Sequence, residues 1–467
     1  MIDTYNKYLC ALGVLCLAAV IVAAAFLPGA RLGFLLPAYV VGGAAMLFIY
    51  SRCAFRVSAG SAVLMAAYTL VVCGIIWNIH FFTVESGGTY SHPVLVNTDS
   101  RTDWSRAVNR LYGDPQPDFP GLMGVRYYGY VIQGLMFVFG RDIGVPLMFN
   151  AFCYAMTVIL VGAVTWRLAS NRTTSLLSMV ITCLMCYLMV QSTVLLKDVP
   201  LAMCVAAMCL VMARWRMGKG VAIDDVLILI PALVGLAFFR ANFLLMLVLG
   251  LVIFGVGKRS FDLRFAVLIA VVLALFFAMH TFFHFPTVKE NVDVAYGTGV
   301  FVHNDNVRAW DNMLVDDYEA MPIWRRLLWL PASVVVQYLI PFPWNFQRDM
   351  VYGPTECVAH FGYFWYYAGA VLLFWIFVCS RKSPVAMRLF VLWGVLLTIA
   401  TAYMTSGRVS RYCLIYLPML LPAVAFTLVQ AKHSVKLRSK LGVWLGIFTL
   451  LLIPVLLICY NLQMSGR

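Results

Sequence analysis

At 467 residues, 63% of them hydrophobic and only 12% charged, the chain has a mean hydropathy of +0.88, too apolar for a soluble domain of this size; composition alone predicts an all-α polytopic membrane protein. A net charge of +14 would suggest nucleic acid in a soluble protein, but here the bases fall mostly in short loops between apolar runs, the orientation signal of a bilayer protein, and nucleic acid is excluded as a partner. The 13 cysteines form no disulfide framework, because most lie in apolar runs, including the Cys183 and Cys186 pair, and read as small packing residues.

Taken in order at roughly 20 apolar residues per crossing, the chain holds about thirteen spans. They are expected near 8–28, 33–50, 60–82, 143–167, 173–194, 199–214, 225–239, 242–257, 264–284, 359–380, 385–405, 412–430 and 441–460. The first has small residues at Ala23 to Ala25, as a signal peptide would, but Lys7 is its only basic flank and further spans follow at once. It reads as an uncleaved span. Segments 225–239 and 242–257 are short and suit a bent or half-inserted pair.

Two long polar stretches interrupt the spans and divide the chain into five regions: 1–82, 83–142, 143–284, 285–358 and 359–467. The first stretch carries an amphipathic segment, Trp104 to Tyr112, and an aromatic one, Val125 to Gly140, that suits an interfacial helix. In the second, Leu327 to Ile340 is about 14 apolar residues before Pro341-Phe342-Pro343, too short to cross, and suits a re-entrant or interfacial helix. With the N-terminus on the cytoplasmic side, the inner loops hold most bases, such as Arg52, Arg56, Arg214, Arg216, Lys258, Arg259, Arg381 and Lys382. Both long stretches and the C-terminus are then extracytoplasmic. Most acids go with them, so chemistry that needs carboxylates belongs outside. The Asn171-Arg172-Thr173 sequon falls inside under this topology and is set aside.

Four outer features gather polar groups at the membrane surface. Asp99 and Asp103 stand four residues apart; a helix starting near Asp99 puts both on one face, where they could take a proton from a hydroxyl or hold a divalent cation such as Mg or Mn against a leaving phosphate. The plainer reading is a solvated helix cap. Lys197-Asp198 forms a polar turn between spans, or else a lysine reaching to the headgroups. Arg240 lies deep in apolar sequence and needs an anion, either a lipid phosphate or an internal acid such as Asp198. Arg408 and Arg411 sit at an outer turn where topology predicts few bases; they suit phosphate or headgroup anchoring. No histidine spacing suggests zinc, and no glycine-rich loop suggests a nucleotide. An outer active site would not meet nucleotide-sugars, so a lipid-phosphate donor fits better.

With these residues in view the chain resembles the integral-membrane C-type (GT-C) glycosyltransferases, which include protein mannosyltransferases and bacterial enzymes that add arabinose or aminoarabinose. Asp99 to Trp104, the amphipathic helix to Tyr112, and Arg126-Tyr127-Tyr128-Gly129-Tyr130 look like their first outer loop. Lys197 to Pro200 is similar to their polar turn between paired spans, and Arg411-Tyr412 with Pro418 and Pro422 looks like a late Arg-Tyr-x-x-Pro element. Members usually have one span before the acidic loop, and this chain has about three. The resemblance implies a polyprenyl-phosphate-linked sugar donor, with the loop acid as general base or metal-linked group and outer arginines on the donor phosphate. It implies transfer to a glycan, lipid or protein acceptor outside the cytoplasmic membrane. On that reading Asp99 is the base, Asp103 supports it, Lys197, Arg240, Arg408 and Arg411 bind phosphate, and Asp198, Arg126, Tyr127 and Tyr412 assist. A lipid-linked glycan polymerase or ligase is the alternative enzyme. A transporter or flippase is the non-enzymatic alternative, although the spans carry little central charge.

Overall fold

The computed structural model describes residues 2–27, 31–52, 58–80, 98–113, 128–218, 221–256, 262–281, 322–339, 362–405 and 413–465. The elements among these residues are helices: α1 (Ile2–Phe26), α2 (Leu32–Arg52), α3 (Ser58–His80), α4 (Thr98–Tyr112), α5 (Tyr128–Phe139), α6 (Gly144–Ala169), α7 (Arg172–Cys183), α8 (Cys186–Ser192), α9 (Asp198–Met217), α10 (Ile223–Arg240), α11 (Phe243–Gly255) and α12 (Leu263–Thr281). They continue with α13 (Ile323–Leu339), α14 (Gly362–Phe374), α15 (Val385–Thr405), α16 (Cys413–His433) and α17 (Val435–Ser465). Nine of the described helices are long and apolar enough to cross a membrane, and Cys10–Phe26, Tyr128–Phe139 and Phe243–Gly255 are shorter apolar helices. The chain is a multi-pass, all-helical membrane protein, as its composition predicts.

The expected interfacial segments are helices: α4 begins at Thr98, α5 matches Val125 to Gly140, and α13 matches Leu327 to Ile340. Expectation and structure part at 173–194. That stretch is two helices, with Met185 in extended backbone between α7 and α8. Non-helical residues follow again from Thr193 to Lys197. The sequon asparagine has a local role: the Asn171 side chain accepts the Thr174 N–H at 3.1 Å and caps α7.

The described helices fall into two compact units, α1 to α10 and α11 to α17. In the first, α6 and α9 form the core and are nearly wholly buried. Helices α3, α7 and α10 surround them. Their buried hydroxyls are satisfied within the helices, as Thr157 donates to the Cys153 carbonyl and Thr165 to that of Val161, both at 2.8 Å. Between helices, Ser175 donates to the Gly162 carbonyl at 2.8 Å.

Helices α9 and α10 make an antiparallel hairpin. At its turn, buried Asp225 accepts from Arg214 at 2.8 Å, from the Trp215 indole at 3.2 Å and from the Ala222 N–H at 3.1 Å. Ten residues along each helix, Gly235 faces Cys204 so closely that an added Cβ would lie 2.5 Å from the cysteine sulfur. These two contacts fix the register and bring Asp198 and Arg240 to the opposite end of the hairpin.

In the second unit, α11 pairs with α12, and α15 packs against α11, α13 and α16. The Trp393 indole donates to the Met246 carbonyl at 3.1 Å. On α13, Gln337 donates to Thr401 at 2.9 Å. A π-turn, Trp375–Cys379, and a short 3-10 turn, Ser380–Lys382, follow α14; the Trp375 indole donates to Ser383 at 2.8 Å. Helix α17 shows many apolar side chains on its surface, such as Leu450 and Leu451, as a lipid-facing helix does.

Removing a carboxylate that serves three donors leaves the buried Trp215 indole unsatisfied and breaks the Arg214 ion pair. Asp225→Ala should destabilise the protein by about 3 kcal/mol, seen as a lower melting temperature in detergent, whereas Asp224→Ala, on the exposed side of the same turn, should leave it near wild type.

Candidate functional site

Helix α4 carries Asp99 and Asp103 one turn apart. The Asp99 side chain lies outside the described set. Asp103 is 2% exposed and sits with Trp104, Ala107 and Val108 on the buried face, while Arg110 and Tyr112 are exposed. The solvated-cap reading therefore does not hold for Asp103.

Burial of that acid depends on a glycine. A Cβ at Gly129 of α5 would lie 3.2 Å from the Asp103 carbonyl oxygen, so the two backbones approach here. Helices α4 and α5 run parallel: Asp103 meets the start of α5, and Tyr112 meets Arg141 just past its end. Two arginine–aromatic stacks hold the outer flank, Arg110 at 3.9 Å over Tyr130 and Arg141 at 5.1 Å over Tyr112. At 12 residues, α5 is too short to cross a bilayer.

Tyr128, the first residue of α5, is fully buried and joins this pair to the core. Its hydroxyl donates to Asn150 Oδ1 of α6 at 2.9 Å. Burial pushes the phenol well above its ordinary range. Cys153 and Asp103 add to the rise, the Asn150 hydrogen bond opposes it, and Asp198 adds a smaller push. The phenol therefore stays protonated and a donor, and both Asp103 and Asp198 lie within electrostatic reach of it.

The Lys197-Asp198 turn is held from below by two amides. Asn150, 0% exposed, donates from Nδ2 to the carbonyls of Val194 at 2.9 Å and Leu196 at 3.0 Å. Asn78 of α3, 1% exposed, donates to the Thr193 carbonyl and hydroxyl, each at 3.1 Å. One break earlier, the Tyr154 hydroxyl donates to the Cys183 carbonyl at 3.2 Å. Three buried side chains thus serve carbonyls at the two interruptions, of which that of Val194 also takes the Leu196 N–H at 3.0 Å. Asp198 begins α9 and is buried, and Lys197 is half-buried.

Arg240 reaches the same neighbourhood from α10. The hairpin register puts it level with the start of α9, and its neighbour Phe239 packs edge-on against Tyr128 with ring centroids 5.7 Å apart. Asp103 and Asp198 thus act on Tyr128, while Lys197 follows a carbonyl held by Asn150 and Arg240 follows the ring that packs on Tyr128. Arg126, Tyr127, Arg408, Arg411 and Tyr412 lie outside the described residues. Among the described residues, no three His, Cys, Asp or Glu side chains come together, and the Asp99 side chain lies outside that set. Sequence reasoning missed Asn78 and Asn150; the available signal was an amide inside an otherwise apolar run.

The chain matches no family model and no curated protein. Among solved structures it is similar to the archaeal oligosaccharyltransferase AglB from Archaeoglobus fulgidus, in complex with an inhibitory peptide and a dolichol-phosphate. Sequence identity is 13% and the TM-score 0.47, over 87% of this chain. The chain spans about half the length of that protein, 56%.

Deleting the Asn78 amide leaves the Thr193 carbonyl buried without its donor. Asn78→Ala should destabilise the protein by about 1–3 kcal/mol, read as a lower melting temperature in detergent, and Asn78→Asp should not restore it because a carboxylate cannot donate.

Proposed function

We propose that this chain is a C-type membrane glycosyltransferase that moves a sugar from a polyprenyl phosphate or diphosphate to a glycan, lipid or protein acceptor outside the cytoplasmic membrane. The observation that supports it is the gathering of acids from α4 and α9 around one buried tyrosine, against which the end of α10 also packs. Buried acids are costly in an apolar protein and are kept where chemistry uses them.

The reaction needs a proton acceptor and a way to hold phosphate charge. On the acidic face of α4, Asp99, supported by Asp103, takes the proton as the acceptor hydroxyl oxygen attacks C1 of the donor sugar. The C1–O bond to phosphate breaks, and the polyprenyl phosphate leaves with the electron pair. Arg240 and Lys197 offset the negative charge on that leaving group. No step is assigned to a metal.

The test uses membranes holding the full chain and polyprenyl-phosphate-linked mannose, arabinose and aminoarabinose, with release of polyprenyl phosphate as the readout. Wild-type membranes should release it from at least one donor above membranes lacking the protein. Asp99→Asn should cut the rate by about 10² or more, with Asp103→Asn also slower and Asp224→Asn unchanged. Release equal to the control for every donor, or full activity in a well-folded Asp99→Asn, would overturn the proposal. A ladder of repeat lengths in the product would make the enzyme a polymerase.

A further inference from the structure

We infer that Tyr128 and Asn150 act as a pair of positioning residues that set the Lys197-Asp198 turn against the acid-bearing helix α4. The inference rests on the proposed transferase reading and deepens it. Neither residue needs to touch substrate.

The argument follows the hydrogen bonds. Asn150 has one acceptor and two donors, and all three are used: Oδ1 takes the Tyr128 hydroxyl at 2.9 Å, and Nδ2 serves Val194 at 2.9 Å and Leu196 at 3.0 Å. An amide in this position can turn over, exchanging its oxygen and nitrogen. In the flipped orientation, oxygen would face two carbonyls and nitrogen would face a hydroxyl. The two carbonyls can only accept, so they hold Nδ2 toward the turn and leave Oδ1 to take the Tyr128 proton, which ties the amide to the head of α5.

Tyr128 is itself placed by the α4–α5 contact, since a Cβ on Gly129, the next residue, would lie 3.2 Å from the Asp103 carbonyl oxygen. Placement of the Asp103 segment and placement of the 193–197 backbone are thus joined through two side chains. All the residues concerned belong to one compact unit. Serving two carbonyls in the turn is a structural task; anchoring the amide's oxygen from α5 links that task to the acidic helix.

Two measurements on the full chain in lipid nanodiscs test this. The first is hydrogen exchange by mass spectrometry. Tyr128→Phe should raise exchange over 193–198 and leave the interiors of α6 and α9 as in wild type. Exchange raised throughout the unit would mean general destabilisation, and no change at 193–198 would mean the hydroxyl does not hold the turn; either result overturns the inference.

The second is the polyprenyl-phosphate release assay, with the donor that wild type uses. Tyr128→Phe and Asn150→Ala should each lower kcat by about ten- to a hundredfold with little change in donor KM. The double variant should lose no more than the worse single one, because both substitutions break the same link. Multiplying losses, or loss in KM alone, would overturn the positioning role. If Asp99→Asn is inactive while Tyr128→Phe matches wild type, the inference fails and the transferase reading stands; if Asp99→Asn is fully active, that reading fails instead.

Discussion

The arrangement of the first unit follows from one requirement: a main-chain carbonyl in an apolar interior must find a donor. Helices meet it internally, and nothing else does so without help from side chains. The stretch from Arg172 to Asp198 is interrupted twice, at Leu184-Met185 and at Thr193 to Lys197. Each interruption coincides with buried donors aimed at the open carbonyls, Tyr154 at the first and Asn78 with Asn150 at the second. Without those donors the apolar sequence there would favour a continuous helix, and Lys197 and Asp198 would be carried round into a helical spiral instead of standing at the head of α9.

The same economy explains why charge is tolerated beside Tyr128. Asp198 starts a helix, where the dipole favours an acid. Arg240 ends one, where it favours a base. The antiparallel hairpin brings those two ends together, with its register set at the far end by the Arg214–Asp225 ion pair and at mid-length by Gly235 against Cys204. Asp103 enters from outside the hairpin, on a helix whose approach depends on the missing side chain of Gly129. Local helix signals and long-range packing thus point the charges to one place.

Much of this was legible in the sequence. Uniform apolar runs gave away most helices, and the alternation of α4 showed its amphipathic face. Asp103, Lys197, Asp198 and Arg240 stood out because charge is rare here. The turn before Asp198 was expected between two spans, but the break at Leu184-Met185 was hidden, because it contains neither the proline nor the glycine that usually marks an interruption. Both are imposed by partners more than 20 residues away in sequence, Tyr154, Asn150 and Asn78. The burial of Asp103 was hidden for a similar reason, since α4 read alone looks like a solvated surface helix. Asp99 was placed on its helix, and its side chain lies outside what the structure describes.

The order of the partners along the chain has a consequence for biogenesis. Asn78, Asn150 and Tyr154 all precede the carbonyls they serve. As the polypeptide leaves the ribosome from its N-terminus, α3 and α6 are made before the twice-broken segment emerges. A stretch that would be a poor guest in lipid by itself can therefore enter a bilayer in which its donors already wait. A circular permutant that began at α7 would reverse that order, exposing the unsealed backbone to lipid until its donors were synthesised.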